Sequence, residues 1–167
     1  MPKWPGAGTF CKPQWLIGFT DSRNDAPRAL KPPRCYTRCM PEPCPFCAPD
    51  PDQVFLETGL VIGLWDKYPV SPGHALLVPR RHVAGWFDAS AEERQALTAA
   101  LDIARDRVLE RHRPDGFNIG VNSGEAAGQT IFHLHVHLIP RYKGDQDDPR
   151  GGVRRLFPSK ARYWEDP

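Results

Sequence analysis

The chain has 167 residues, 40% of them hydrophobic and 25% charged, with a formal net charge of +2. Those values suit a single soluble globular domain with room for a tail. So small a net charge gives no argument for nucleic-acid binding, and no apolar run approaches the roughly 20 residues that span a bilayer. Trp15–Phe19 is too short and badly flanked to serve as a secretory signal, so a cytoplasmic location is expected.

Residues 1–43 differ in texture from the rest. Ten of the nineteen prolines fall within the first fifty positions, and the apolar residues there follow no period. Such a stretch buries too little surface to offset its ordering entropy, which predicts a disordered or loosely draped arm. All five cysteines (Cys11, Cys35, Cys39, Cys44 and Cys47) lie in the first third. An odd count in a reducing compartment favours a metal site over a disulfide framework.

A domain over 44–167 follows. Val54–Leu56 and Leu60–Trp65 read as strands joined by the turn Glu57–Gly59, and His74–Pro79 as a third strand after a Pro- and Gly-rich loop. Ser90-Ala91-Glu92-Glu93 is a capping box, which predicts a long helix to about Arg111 with Leu97, Leu101, Ala104 and Val108 on one stripe. Pro114-Asp115-Gly116 ends it, and Phe117–Asn122 reads as a fourth strand. These elements with short links indicate an α+β fold with a largely antiparallel sheet.

The run from Gln129 to Pro140 is the most informative stretch. His133, His135 and His137 alternate with Leu134, Val136 and Leu138. Period-two alternation predicts a strand with three imidazoles on one face. Polar rings are buried in a row only with partners, so this strand is expected to hold the chemistry. Either the three rings share one metal, as in three-histidine zinc sites, or one ring is a nucleophile and the others support it. The loop before it, Asn122-Ser123-Gly124-Glu125-Ala126-Ala127-Gly128-Gln129-Thr130, offers glycines, two amides and two hydroxyls. Its N–H groups can converge on an anion. Upstream, Cys44-Pro45-Phe46-Cys47 has the spacing that brings two thiolates to one zinc, with two further ligands needed. Cys35 and Cys39 could complete a four-cysteine site, and a redox role is the other alternative.

The motif Asn-x(6)-Gln-Thr-x-x-His-Leu-His-Val-His-Leu resembles the signature of the histidine triad (HIT) superfamily of nucleotide hydrolases and transferases. The likeness runs from about Cys44 to Arg141, and Ser-Pro-Gly-His74-Ala-Leu-Leu-Val-Pro-Arg-Arg-His82 matches a second family motif. The resemblance implies a HIT-like fold: a five-stranded antiparallel sheet with one long and one short helix, commonly paired as a homodimer. It makes His135 the nucleophile that attacks the α-phosphorus of a nucleotide, with His137 and Gln129 stabilising the phosphoryl charge. Asn122, Gly128, Gln129 and Thr130 would bind phosphate, Asp66 the ribose hydroxyls, and His74 would support the site. It is similar to zinc-bearing members, which implies a structural Zn2+ on Cys44, Cys47, His82 and His133. The loop lies closer to the dinucleoside-polyphosphate hydrolases than to the phosphoramidases, and a non-catalytic nucleotide-binding module is the further alternative. His112, at the helix C-terminus, suits the dipole and is given no catalytic part. Arg150, Arg154 and Arg155 read as a solvated basic tail, with Trp164 close to its end.

Overall fold

The computed structural model describes residues 44–162. The proline-rich arm, Cys11, Cys35, Cys39 and Trp164 lie outside the described residues. Among those described are β1 (Val54–Glu57), β2 (Val61–Trp65), β3 (Ala75–Pro79), α1 (Ala91–His112), β4 (Gly116–Gly120) and β5 (Val136–Arg141). The strands form one sheet in the order β1-β2-β3-β5-β4, every neighbouring pair antiparallel. The short helix implied by the resemblance is replaced among the described residues by 3-10 turns such as Pro51–Gln53. No helix among them is long and apolar enough to cross a membrane.

Alternation along the strands divides the core in two. Val61, Ala75, Leu77, Val136 and Leu138 face α1 and meet its Leu97, Ala100, Ala104 and Val108. The two alanines let the helix lie close to the sheet. The intervening residues Ile62, Leu64, Leu76 and Val78 form a second cluster on the opposite face, closed by Phe46 from the C-x-x-C segment. Period two therefore places His137 in β5, and His135 just before it, on the side away from the helix. Gly63 is required where β1 bulges, because a Cβ there would stand 2.8 Å from that of Leu56.

The capping box forms. Ser90 Oγ accepts from Glu93 N at 3.1 Å and Ser90 N donates to the Glu93 carboxylate at 2.7 Å. Arg81 adds two bonds to the same carboxylate at 2.8 and 2.7 Å, tying the β3–α1 loop to the helix start. The helix ends at Arg113, which takes the left-handed conformation (φ 49°) before Pro114. Arg81 first, and the Ser90 backbone second, hold the Glu93 carboxyl down at about 2, against an ordinary 4.5. A depressed carboxylate stabilises the fold above its ordinary pKa, and that contribution is lost as pH falls from about 4.5 toward 2. Glu93→Ala is expected to cost about 2 kcal/mol. Urea titrations at pH 7 and pH 3 should show the gap between wild type and variant narrowing at the lower pH.

Candidate active site and metal centre

The regular β5 ladder begins only at Val136, so His133 and His135 stand in an irregular lead-in, bent at His133, rather than in the strand predicted from Gln129. The cause lies in β3. Its last residue, Pro79, offers a carbonyl but no N–H, and that carbonyl accepts from His133 Nε2 at 2.9 Å. A single backbone bond, Leu134 N to Val83 O at 2.7 Å, replaces the ladder here. Alternation persists without it. Leu134 is buried in the helix-side core, while His133 and His135 remain 0% and 7% exposed on the other side.

With Nε2 committed to Pro79, His133 presents Nδ1 to the two thiols. It lies 3.4 Å from Cys44 Sγ and 3.6 Å from Cys47 Sγ, and His82 Nδ1 lies 3.1 Å from Cys47 Sγ. The four ligand atoms fall within 4.8 Å of one another. A tetrahedral ion with Zn–S of about 2.3 Å and Zn–N of about 2.0–2.1 Å sets S···N separations near 3.5 Å. The observed spacings and the two-sulfur, two-nitrogen donor set fit zinc. The Pro79 bond supplies the outer contact that fixes a ligating imidazole's tautomer. Burial pushes the His133 pKa down, which suits a neutral ligand. Sharing of one ion by His133, His135 and His137 does not fit the arrangement: among the described residues the ligand atoms of His133 converge with those of Cys44, Cys47 and His82, and those of His137 with Asp66 and His74.

His135 Nδ1 donates to the His133 carbonyl at 2.8 Å, which leaves Nε2 as its basic nitrogen. His137 Nδ1 pairs with His74 Nε2 at 3.0 Å, and His74 Nδ1 with Asp66 Oδ2 at 3.1 Å. Val70 N also approaches His74 Nδ1, at 3.4 Å, but the shorter contact to the Asp66 carboxylate, which only accepts, assigns the proton of the neutral ring to Nδ1, and its Nε2 then accepts from His137. The chain thus ends on a lone pair at His137 Nε2, a buried atom without a hydrogen-bond partner among the described residues. Burial first, then the neighbouring His135 and His74, push His137 down to about 4. Burial also lowers His74, against the opposing pull of Asp66.

His135, His137, His74 and Asp66 share a cleft of about 480 Å³ with Thr130. Phe46, Leu64, Trp65, Leu76 and Ile131 supply its apolar wall. Such a wall beside a few convergent polar groups is the usual form of a small-molecule site.

Other candidates fall elsewhere. Asp66 lines the cleft, but its Oδ1 accepts from Tyr68 N at 2.8 Å and its Oδ2 holds His74. It anchors a histidine as well as standing where a ribose was expected. Gln129 is buried and its amide is occupied. Oε1 accepts from Gly124 N at 2.8 Å, and Nε2 donates to the carbonyls of Ala84 at 2.6 Å and Ile131 at 3.0 Å. It braces the loop and does not line the cleft. The loop's N–H groups are also partly taken, since Ala127, Gly128 and Gln129 donate to carbonyls within it. Gly124 and Gly128 provide its positive φ values, 94° and 83°. Asn122 is half-buried, and neither it nor Gly128 lines the cleft. Arg150 pairs with Asp148 at 2.8 Å, Arg155 donates to backbone carbonyls of Asp148 and Arg150, and neither reaches the cleft. Sequence reasoning missed Phe46 and the apolar wall. The only signal for Phe46 was its place between two candidate ligands.

The family model for the HIT domain matches residues 48–144. A HIT-like protein of Saccharolobus solfataricus is 32% identical over 124 residues, covering 72% of this chain and 89% of that protein. AP-4-A phosphorylase of Mycobacterium tuberculosis is 40% identical over 87 residues, and the match spans 52% of this chain but only 45% of that protein. Among solved structures, a Zn-bound histidine triad family protein from Mycobacterium smegmatis superposes with a TM-score of 0.57 at 33% identity, covering 62% of this chain and 78% of that one.

Proposed function

The chain belongs to the HIT domain family, and from that premise we propose that it cleaves nucleotides at the α-phosphate through a covalent intermediate on His135. Dinucleoside polyphosphates are the favoured substrates. The observation that supports this most is the paired arrangement in the cleft: a basic Nε2 on His135 beside the unpartnered Nε2 of His137. Similarity to a protein named AP-4-A phosphorylase points to the same substrate class.

In the first step His135 Nε2 forms a bond to the α-phosphorus as the bond to the departing phosphate oxygen breaks. In the second, water attacks the same phosphorus, the P–N bond breaks and a nucleoside monophosphate leaves. His137 Nε2, holding a lone pair, accepts the water's proton. The resulting cation is supported by His74 Nε2 and, through it, by the Asp66 carboxylate, whose charge favours protonated His137. Thr130 at the cleft edge and the exposed loop beside it would stabilise charge on the phosphoryl oxygens. Cys44, Cys47, His82 and His133 would hold zinc as a structural ion, outside the reaction.

Asp66→Asn separates two parts for that carboxylate. As the anchor of the histidine chain, its loss should lower kcat by about 10²-fold or more with little change in KM. As a ribose contact alone, its loss would raise KM and leave kcat in place. Incubation with diadenosine polyphosphates and with an adenosine phosphoramidate, with and without inorganic phosphate, tests the reading as a whole. Water as acceptor gives AMP, and phosphate as acceptor gives ADP. Preference for the phosphoramidate would move the protein to that branch. Tight nucleotide binding without turnover would make it a regulatory module. The proposal extends to a cytoplasmic homodimer, for which light scattering should give twice the 18.8 kDa chain mass.

A further inference from the structure

The C-x-x-C segment does more than close one end of the domain. Cys47 N donates to Cys44 O at 3.0 Å, so the segment is a tight turn with Phe46 next to its second thiol. Phe46 is 9% exposed as a residue and lies in the cluster of Ile62, Leu64, Leu76 and Val78. It meets two histidines edge-on: His135 at 5.1 Å between centroids (60°) and His133 at 6.0 Å (71°). Beyond His135 stands His137, at 5.0 Å and 72°. The His135 ring is therefore fixed by three contacts: a hydrogen bond at Nδ1, the His137 ring, and the Phe46 ring.

We propose that Phe46 is a positioning residue for His135 and that it couples the geometry of the nucleophile to occupancy of the four-ligand metal site. An imidazole tied at one nitrogen can still rock about that bond. The flanking rings remove this freedom, so Nε2 keeps a single direction into the cleft. Phe46 holds its place because Cys47, beside it, and Cys44, across the turn, are both drawn to the ion. With the ion gone, the turn loses its anchor, Phe46 relaxes and the His135 ring gains orientations that do not face the phosphorus. Misplacement of a reacting group by about 1 Å can cost about 10²-fold in rate. Aromatic pairs contribute only about 0.5–1.5 kcal/mol beyond their buried area, so the ring can shift without unfolding the domain.

The inference rests on the proposed role of His135, and its test has one arm independent of turnover. In the 15N–1H correlation spectrum of the imidazoles, His135 in the zinc-loaded protein should show one Nδ1-protonated tautomer. In Phe46→Ala, in Phe46→Leu and in the chelated wild type it should show exchange broadening or a mixed tautomer. In the kinetic arm, Phe46→Ala with full zinc content should lose about 10- to 100-fold in kcat with KM changed less than about threefold. The same loss should appear with the 4-nitrophenyl diester of ribose 5′-phosphate, which carries a leaving group on the phosphorus but no base. Chelation should lower the wild-type kcat similarly and add little to the variant, since both act through one contact. A rise in KM alone, confined to the base-bearing substrate, would make Phe46 a mere wall of the cleft and overturn the proposal. So would an unchanged His135 spectrum after substitution and chelation. If no substrate is turned over by the wild type, the functional reading fails while the spectrum still decides this one.

Discussion

His135→Ala is expected to reduce kcat by at least about 10⁴-fold while zinc content and melting temperature stay near those of the wild type. The ring's Nδ1 donates to the His133 carbonyl, and the ring lies on the cleft side, away from the helix-packed core. Its removal enlarges an open cleft instead of creating a closed cavity, so the structural cost is small. The loss to catalysis is large because the bond to phosphorus is made at His135 Nε2. His133 has both ring nitrogens engaged, at the Pro79 carbonyl and at the thiols, and the open Nε2 of His137 serves as the base in the proposed reaction. A variant retaining a tenth of wild-type turnover would show that the nucleophile is elsewhere.

His133→Ala is expected to do the reverse, destabilising the domain by more than about 4 kcal/mol and abolishing zinc binding. This ring is fully buried and carries several structural roles together. It donates to Pro79 where the β3–β5 ladder fails, faces both cysteines, and packs against His82 and Phe46. Truncation leaves the Pro79 carbonyl without that donor and opens the metal site. Cys44→Ser should lose zinc with a smaller fall in stability, because its volume is kept. Metal analysis alongside urea titration separates the two. Chelation of the wild type should leave residual turnover. Its complete loss and full return with added metal would favour a metal-centred reaction.

How far the sequence revealed the site follows from the range of each signal. The helix was legible because Ser90 and Glu93 form its cap locally, and the strands because β2 and β3 alternate between two apolar clusters. Alternation also placed His133 and His135 on the face away from the helix, although neither lies in a ladder. The missing ladder was not legible: it depends on Pro79 meeting His133, 54 positions away. The Asp66–His74–His137 chain is likewise a matter of register, set where Leu76 lies opposite His137. The loop before β5 was legible as a turn. Its own geometry then takes several of the N–H groups assigned to phosphate, and Gln129 turns inward to brace it. A motif can name donors, but only the folded backbone decides which of them remain open.

The most direct measurement is intact-protein and peptide mass spectrometry after a brief pulse of diadenosine polyphosphate, quenched under conditions that spare P–N bonds. A transient gain of one nucleotidyl group is expected, localised to the peptide bearing His135 and absent from His135→Ala. Product formation with no adduct at any quench time, or an adduct on another residue, would contradict it.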